Sequence, residues 1–405
     1  VMLRNPTFRL LLGARTLSTL CTGLDLVVLA WLVIVVGGTP MTLAIMAALS
    51  AGAGVPAAFF GGPLIDRFSR RAVTVATEAG RILPVGLLPL LAAFDEVRIW
   101  QVLAVSAWVS GLYSLSAASY SALLPQLFDR TNLLRANGLW QAASQVGVFI
   151  GAALGGLAIP AVGAANSLLF GLAGRVVIVA ALLALRLPHL QRPSTKRSGG
   201  FLFRDMAEAW GFLREHRLLL WTTLFVAVPG SLISGINAVL PAFVKNDNHL
   251  GATDYGLIDA AWGVGAFVAS VLCVRLPNLQ ENHRNLAGSL LLTGGAMALL
   301  ATARNLPWSL VFAGLVGGAA LGSLVLFRAH VQAEAPPEHT GRILAMSQLV
   351  LSALWFGVAL GLGALTLLMT VRAVIVTWGV LIVLSGLAAR RLMAPRLPDR
   401  TPTNT

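Results

Sequence analysis

The chain has 405 residues, of which 57% are hydrophobic and 11% charged, against roughly 25% charged in an average soluble protein. That balance excludes an ordinary soluble enzyme and points to a protein embedded in lipid. The net charge of +13 does not mark a nucleic-acid binder, because Arg and Lys fall in alternate loops instead of forming one basic face.

Apolar runs of about 20 residues, the length that crosses a hydrocarbon core, recur near 8–36, 40–64, 73–94, 98–124, 136–160, 163–187, 218–244, 251–276, 284–303, 306–330, 342–369 and 371–391. The basic loops include Arg67, Arg70 and Arg71, the cluster from Arg186 to Arg217, and the tail from Arg390. Positive loops stay on the cytoplasmic side, so both termini are expected there, in a cytoplasmic (inner) membrane. No cleavable signal peptide is expected, because the first apolar run is too long for one.

Along the first span, Arg15, Ser18, Thr22 and Asp25 follow one another at steps of three, four and three. On a helix advancing about 100° per residue they share an arc of roughly 80°, a polar stripe in an apolar helix. Ionisable groups at membrane depth are functional candidates. Asp25 is the leading candidate for proton coupling, and permanent pairing with Arg175 of the sixth span is the alternative. Arg15 is placed to meet an anionic substrate, a lipid headgroup or another helix.

After the second span comes GGPLIDRFSRR, in which Asp66 precedes Arg67, Arg70 and Arg71. Carboxylate and guanidinium groups so close can form charge-assisted hydrogen bonds across a short loop, and Gly62 leaves room for close helix approach. Glu78 and Arg81, one turn apart in the third span, are read as an extension of this cluster. In the fourth span Ser106, Ser110, Tyr113 and Ser114 are polar, as are Ser231, Ser234 and Asn237 in the seventh. Ser110, Tyr113 and Asn237, with Arg15, Ser18 and Thr22, are the substrate-cavity candidates. In the fifth span Gly147, Gly151 and Gly155 recur every four residues, with Gly156 beside them, so one face permits close backbone packing.

A polar connector, 188–217, separates two sets of six spans; Met206, Ala209, Trp210 and Leu213 suggest a short surface helix within it. The expected units are a lobe at 1–187, the connector, a second lobe at 218–391 and a cytoplasmic tail at 392–405. FRLLL at 8–12 recurs as HRLLL at 216–220, and GAALGG at 151–156 as GVALGLG at 357–363, as expected of parallel repeats. Asp259 in the eighth span is a second proton-coupling candidate. His330 and Glu334 lack a third ligand for a metal, and Cys21 and Cys273 lie within spans with no disulfide spacing.

Gly62 to Arg71 resembles the G-x-x-x-D-R-x-G-R-R signature between the second and third spans of major facilitator superfamily transporters, with Ser69 at the usual glycine. The resemblance implies a conformational latch of Gly62, Asp66, Arg67, Arg70 and Arg71, extended by Glu78 and Arg81. SVLCVRLPNLQENHRN in the second half keeps Arg275 but lacks the Asp-Arg pair. The fifth-span glycines resemble the superfamily's antiporter signature, with Ala152 at its proline, and Ala107 stands where many antiporters carry an arginine. NPTFRLLLGARTLS, NLLRANGL and QAEAPPEHTGRI are similar to the drug and siderophore exporter branch, of the enterobactin-exporter and macrolide-efflux type.

The family implies an all-α membrane protein, with twelve transmembrane helices in two six-helix lobes about a pseudo-two-fold axis along the membrane normal. It also implies that the polar stripe of the first span faces the central cavity. The expected function is export of an amphiphilic small molecule by proton antiport with alternating access. No cofactor is expected beyond the proton gradient, and the partners are substrate and lipid around a monomer. Alternatives are a lysophospholipid transporter or flippase and a non-transporting sensor. An enzyme is not expected, since H-E-x-x-H, G-x-S-x-G and a phosphate loop do not occur.

Overall fold

The computed structural model describes residues 6–124, 127–128, 130–184, 211, 230–231, 235–275, 283–334 and 354–392. All regular structure among them is helical. The first six spans are Pro6–Val35, Pro40–Arg67, the two-part Arg70–Ala79 and Ile82–Ala92, Ile99–Leu123, Arg130–Val162 and Ala164–Ala184. The seventh is described from 235 and ends in a π-helical turn, Phe243–Asp247. Ala252–Arg275, His283–Thr302, Leu306–Glu334, Leu354–Leu365 and Val371–Leu392 supply the rest. Among the described residues, nine helices are long and apolar enough to cross a membrane. The connector apart from residue 211, with the surface helix expected there, Ser234, the side chains of His330 and Glu334, the repeat start HRLLL and the tail 393–405 lie outside the described residues.

Local chemistry explains the helix ends. After the first span Gly37, at φ +90°, donates to Ile34 O while Gly38 donates to Val33 O at 2.8 Å; these paired bonds close a helix through a left-handed residue that glycine adopts without a Cβ clash. Pro40 opens the second span behind a Thr39 cap that accepts from Thr42 N. Ser69, at the position of the family's glycine, caps the third span by accepting from Ala72 N at 3.2 Å.

The third span was expected to be continuous, and it breaks at Gly80 and Arg81. Pro84 has no N–H to give to the carbonyl of Gly80, four residues earlier. Trp108 of the fourth span replaces that donor, its Nε1 reaching Gly80 O at 2.9 Å.

The first span is the axis of its lobe, packed on the fifth and sixth spans and buried over most of its circumference. Leu83, Trp100 and Leu183 face outward, where lipid replaces water. In the second lobe the tenth span packs on the eighth and ninth, and the ninth on the twelfth.

The lobes meet on the side of the membrane away from Pro6. There the fifth span crosses the eighth so closely that a Cβ on Gly156 would lie 2.8 Å from Gly256 Cα. Thr253 Oγ1 donates to Gly156 O at 3.1 Å, and Trp31 stacks on Tyr255 with ring centroids 6.1 Å apart. The related crossing brings Gly363 of the eleventh span against Met41 and Ala44 of the second.

Candidate functional site

Among the described residues of the first lobe, five charged side chains are buried: Arg15, Asp25, Glu78, Arg81 and Arg175. They form three groups stacked along the first span. Nearest the termini, Arg15 Nε donates to Ser144 Oγ at 3.2 Å and Nη2 to Tyr113 Oη at 3.5 Å. Its guanidinium carbon stands 5.4 and 5.5 Å from the ring centroids of Tyr113 and Tyr120, within cation–π range.

One turn further, Ser18 and Ser116 both donate to Glu78 Oε1, at 2.7 and 2.9 Å, and Arg81 Nη2 pairs with the same oxygen at 2.5 Å. Arg81 also reaches Ser18 and Thr22 at 3.4 Å. The break at Gly80 and Arg81 falls beside this group. Deepest lies Asp25, whose carboxylate is paired with both terminal nitrogens of Arg175. Gly171 provides the space, since a Cβ there would stand 2.9 Å from Asp25 Oδ1. Such a pair withstands removal from water only because each charge compensates the other.

Two expectations change. The polar stripe was expected to face the central cavity; Arg15, Ser18 and Asp25 instead point among the helices of their own lobe, because their partners sit on the third, fourth, fifth and sixth spans. Thr22 is half-buried. Glu78 and Arg81 were expected to extend the loop cluster; they belong to the buried stripe, where Ser18 and Ser116 offer donors that a loop would not.

In the loop, Arg71 Nε donates to Leu182 O at 2.8 Å and Nη2 to Leu183 O, satisfying carbonyls at the end of the sixth span. Arg67 lies over the Phe68 ring at 5.8 Å. The carbonyl of Arg70 accepts from the hydroxyls of Thr74 and Ser119. Gly62 and the Asp66 side chain lie outside the described side chains.

The fifth-span glycines divide their work. A Cβ on Gly147 or Gly151 would clash with the first-span carbonyls of Thr16 or Leu20, and one on Gly155 would lie 3.1 Å from Leu24 O; Gly156 meets the other lobe. Ser110 is half-buried, its carbonyl accepting from Ser114 Oγ, and Asn237 is exposed.

Asp259 follows Gly256 by three residues and precedes Gly263 by four, so all three share a helix face. Gly256 meets Ala152 and Gly156, and Gly263 meets Phe149. Asp259 is therefore half-buried on the face toward the first lobe, with no hydrogen bond or ion pair among the described residues.

Sequence reasoning missed Ser116, Tyr120, Ser144, Trp108 and Arg372. Ser116 and Ser119 continue the polar steps of Tyr113 at intervals of three, a signal that was present. Arg372 donates to Ala301 O at 2.5 Å and to Asn248 Oδ1 at 2.8 Å, tying the seventh, ninth and twelfth spans at their far ends; nothing local announces it.

The Major Facilitator Superfamily profile matches residues 11–359. The chain belongs to the Major Facilitator Superfamily. It is 26% identical over 409 residues to the multidrug efflux pump Tap of Mycobacterium tuberculosis (strain ATCC 25618 / H37Rv), covering 98% of this chain and 96% of that one. It is also 26% identical over 274 residues to the enterobactin exporter EntS of Salmonella paratyphi A (strain ATCC 9150 / SARB42), covering 66% and 63%. The nucleoside transporter NupG superposes with a TM-score of 0.74 at 14% identity over 96% of this chain and 100% of that one. A bacterial homologue of the lysosomal transporter Spinster gives 0.69 at 14% identity over 98% and 99%. These likenesses establish the twelve-span, two-lobe fold of a multi-pass membrane transporter.

Proposed function

We propose that this major facilitator protein exports an amphiphilic small molecule by proton antiport, its lobes opening alternately to the two sides of a cytoplasmic membrane. The names of Tap and EntS support efflux, and the alternation of basic loops supports cytoplasmic termini. The proton gradient is the energy source, no bound cofactor is required, and the monomer suffices.

The observation that carries this reading is Asp259. It is a carboxyl group on the contact face between the lobes, without a protein partner among the described residues, flanked by two glycine contacts that must separate when the far side opens. Its hydration changes with that motion, and a carboxyl's proton occupancy follows its hydration. Asp25 came first in the sequence reading, but its bond to Arg175 occupies it. In this proposal Asp25 holds the lobe and Asp259 carries the proton, while Asp66 and the loop arginines form the latch.

The test is uptake into proteoliposomes with an acidic lumen, using ethidium and 11-(dansylamino)undecanoic acid as a cationic and an anionic amphiphile. At least one accumulates, and a protonophore abolishes the accumulation. Asp259→Asn loses the response to pH but still exchanges substrate down its own gradient. No uptake above protein-free vesicles overturns the exporter reading; full pH response in Asp259→Asn overturns the assignment of the carrier.

A further inference from the structure

Among the described residues of the first lobe, three guanidiniums and two carboxylates are buried. Glu78 takes Arg81 and Asp25 takes Arg175, so Arg15 is the cation left over among the described residues. Its neighbours Ser144, Tyr113 and Tyr120 are neutral. Arg15 is 5% exposed, and its Nη1 has no hydrogen-bond partner among the described residues. A buried unpaired charge is costly, and an orphaned donor beside it requires a cause.

The second orphan is close by. Tyr120 is fully buried, its ring faces the Arg15 guanidinium, and its hydroxyl also lacks a partner among the described residues. Among the described residues, two unsatisfied donors and one guanidinium without a carboxylate of its own therefore share one cluster between the first, fourth and fifth spans; Glu78 Oε2, also without a partner, belongs to a carboxylate already paired with Arg81. A water molecule would satisfy the donors, but it would leave the charge. An anionic oxygen satisfies both.

We infer that Arg15, with the Tyr120 hydroxyl, is a binding site for a carboxylate or phosphate group, which arrives on the transported amphiphile or on a lipid headgroup. Tyr113 is the door. It is half-buried, and its hydroxyl meets Arg15 Nη2 at 3.5 Å, the outer limit of a hydrogen bond, so a charged oxygen displaces it readily. The inference rests on the transporter reading and narrows its substrate to acidic amphiphiles.

Equilibrium binding in nonionic detergent tests it, comparing 11-(dansylamino)undecanoic acid with its methyl ester by fluorescence anisotropy. The wild type binds the acid about tenfold more tightly than the ester, the scale of one charge-assisted bond. Arg15→Gln removes that preference and leaves the ester unchanged. Tyr113→Phe, which keeps the ring and removes only the competing hydroxyl, strengthens the acid alone and serves if Arg15→Gln does not fold.

Phosphatidylglycerol, titrated against the bound acid, separates the sources: displacement near equimolar lipid assigns the site to headgroups, and no displacement assigns it to cargo. Equal wild-type affinity for acid and ester, with no effect of Tyr113→Phe, overturns the site. Because no gradient is applied, failure of proton-driven uptake leaves this readout intact, and failure here leaves the uptake assay intact.

Discussion

The two lobes share a fold and hold themselves together differently. In the first, buried charges link five of the six spans: Arg15 to the fourth and fifth, Glu78 and Arg81 to the first and fourth, Asp25 to the sixth. In the second, no charged side chain is buried among the described residues. Its helices meet through glycines: a Cβ on Gly265 would overlap Gly314 O, one on Gly317 would overlap Trp262 O, and one on Gly294 would fall 2.5 Å from Gly379 O. Close backbone packing is how helices associate where lipid removes the hydrophobic drive. The first lobe has such packing too, between its first and fifth spans. The buried charges of the first lobe are therefore an addition to a mode of helix packing that both lobes share.

The largest expected effect tests that addition. Asp25→Asn leaves Arg175 buried and uncompensated, which costs about 3–5 kcal/mol, read as a lower unfolding temperature in detergent. Replacing both, as Asp25→Asn with Arg175→Gln, restores most of it. A single variant as stable as wild type would show that the pair does not hold the lobe. Next comes Gly265→Ala in the second lobe, where the new methyl meets the Gly314 carbonyl and costs about 1–3 kcal/mol through forced separation. Gly288→Ala, with nothing within 4 Å of its Cβ, is the matched control and leaves stability unchanged. Equal melting of the two would remove the glycine account of this lobe.

A smaller effect is expected of Trp108→Phe, which removes the donor to Gly80 O and costs about 1 kcal/mol. Thermal melts of the purified variant check it. The smallest effect on stability is that of Asp66→Asn, because the proposed latch would act on the exchange between states. It slows uptake while equilibrium binding of the same probe stays unchanged, and a large loss of binding with normal turnover would remove Asp66 from the latch.

The loop shows where sequence reading reaches its limit. Charges within six positions of one another suggested mutual pairing, yet Arg71 caps the end of the sixth span, 111 residues further along the chain. Glu78 and Arg81 pair with each other, as their one-turn spacing allows; that they join Ser18 and Ser116 depends on where the third span breaks. The antiporter-like glycines were legible as one face, whereas their division between the first span and the eighth was not.

By itself the sequence determined what repeats along one chain: which segments are long and apolar enough to span, which residues share a helix face, and that the loops alternate in charge. These follow from a fixed rise and rotation per residue and from the lipid's demand for apolar length. Only the tertiary structure decided which faces meet. It turned the Arg15-to-Asp25 stripe into its own lobe, set Asp259 between two glycine contacts on the other, and left Arg15 as the one buried cation of the first lobe without a carboxylate among the described residues. The reason is that a helix's periodicity is local, while the partner of each face depends on the stagger and rotation of helices distant in the chain.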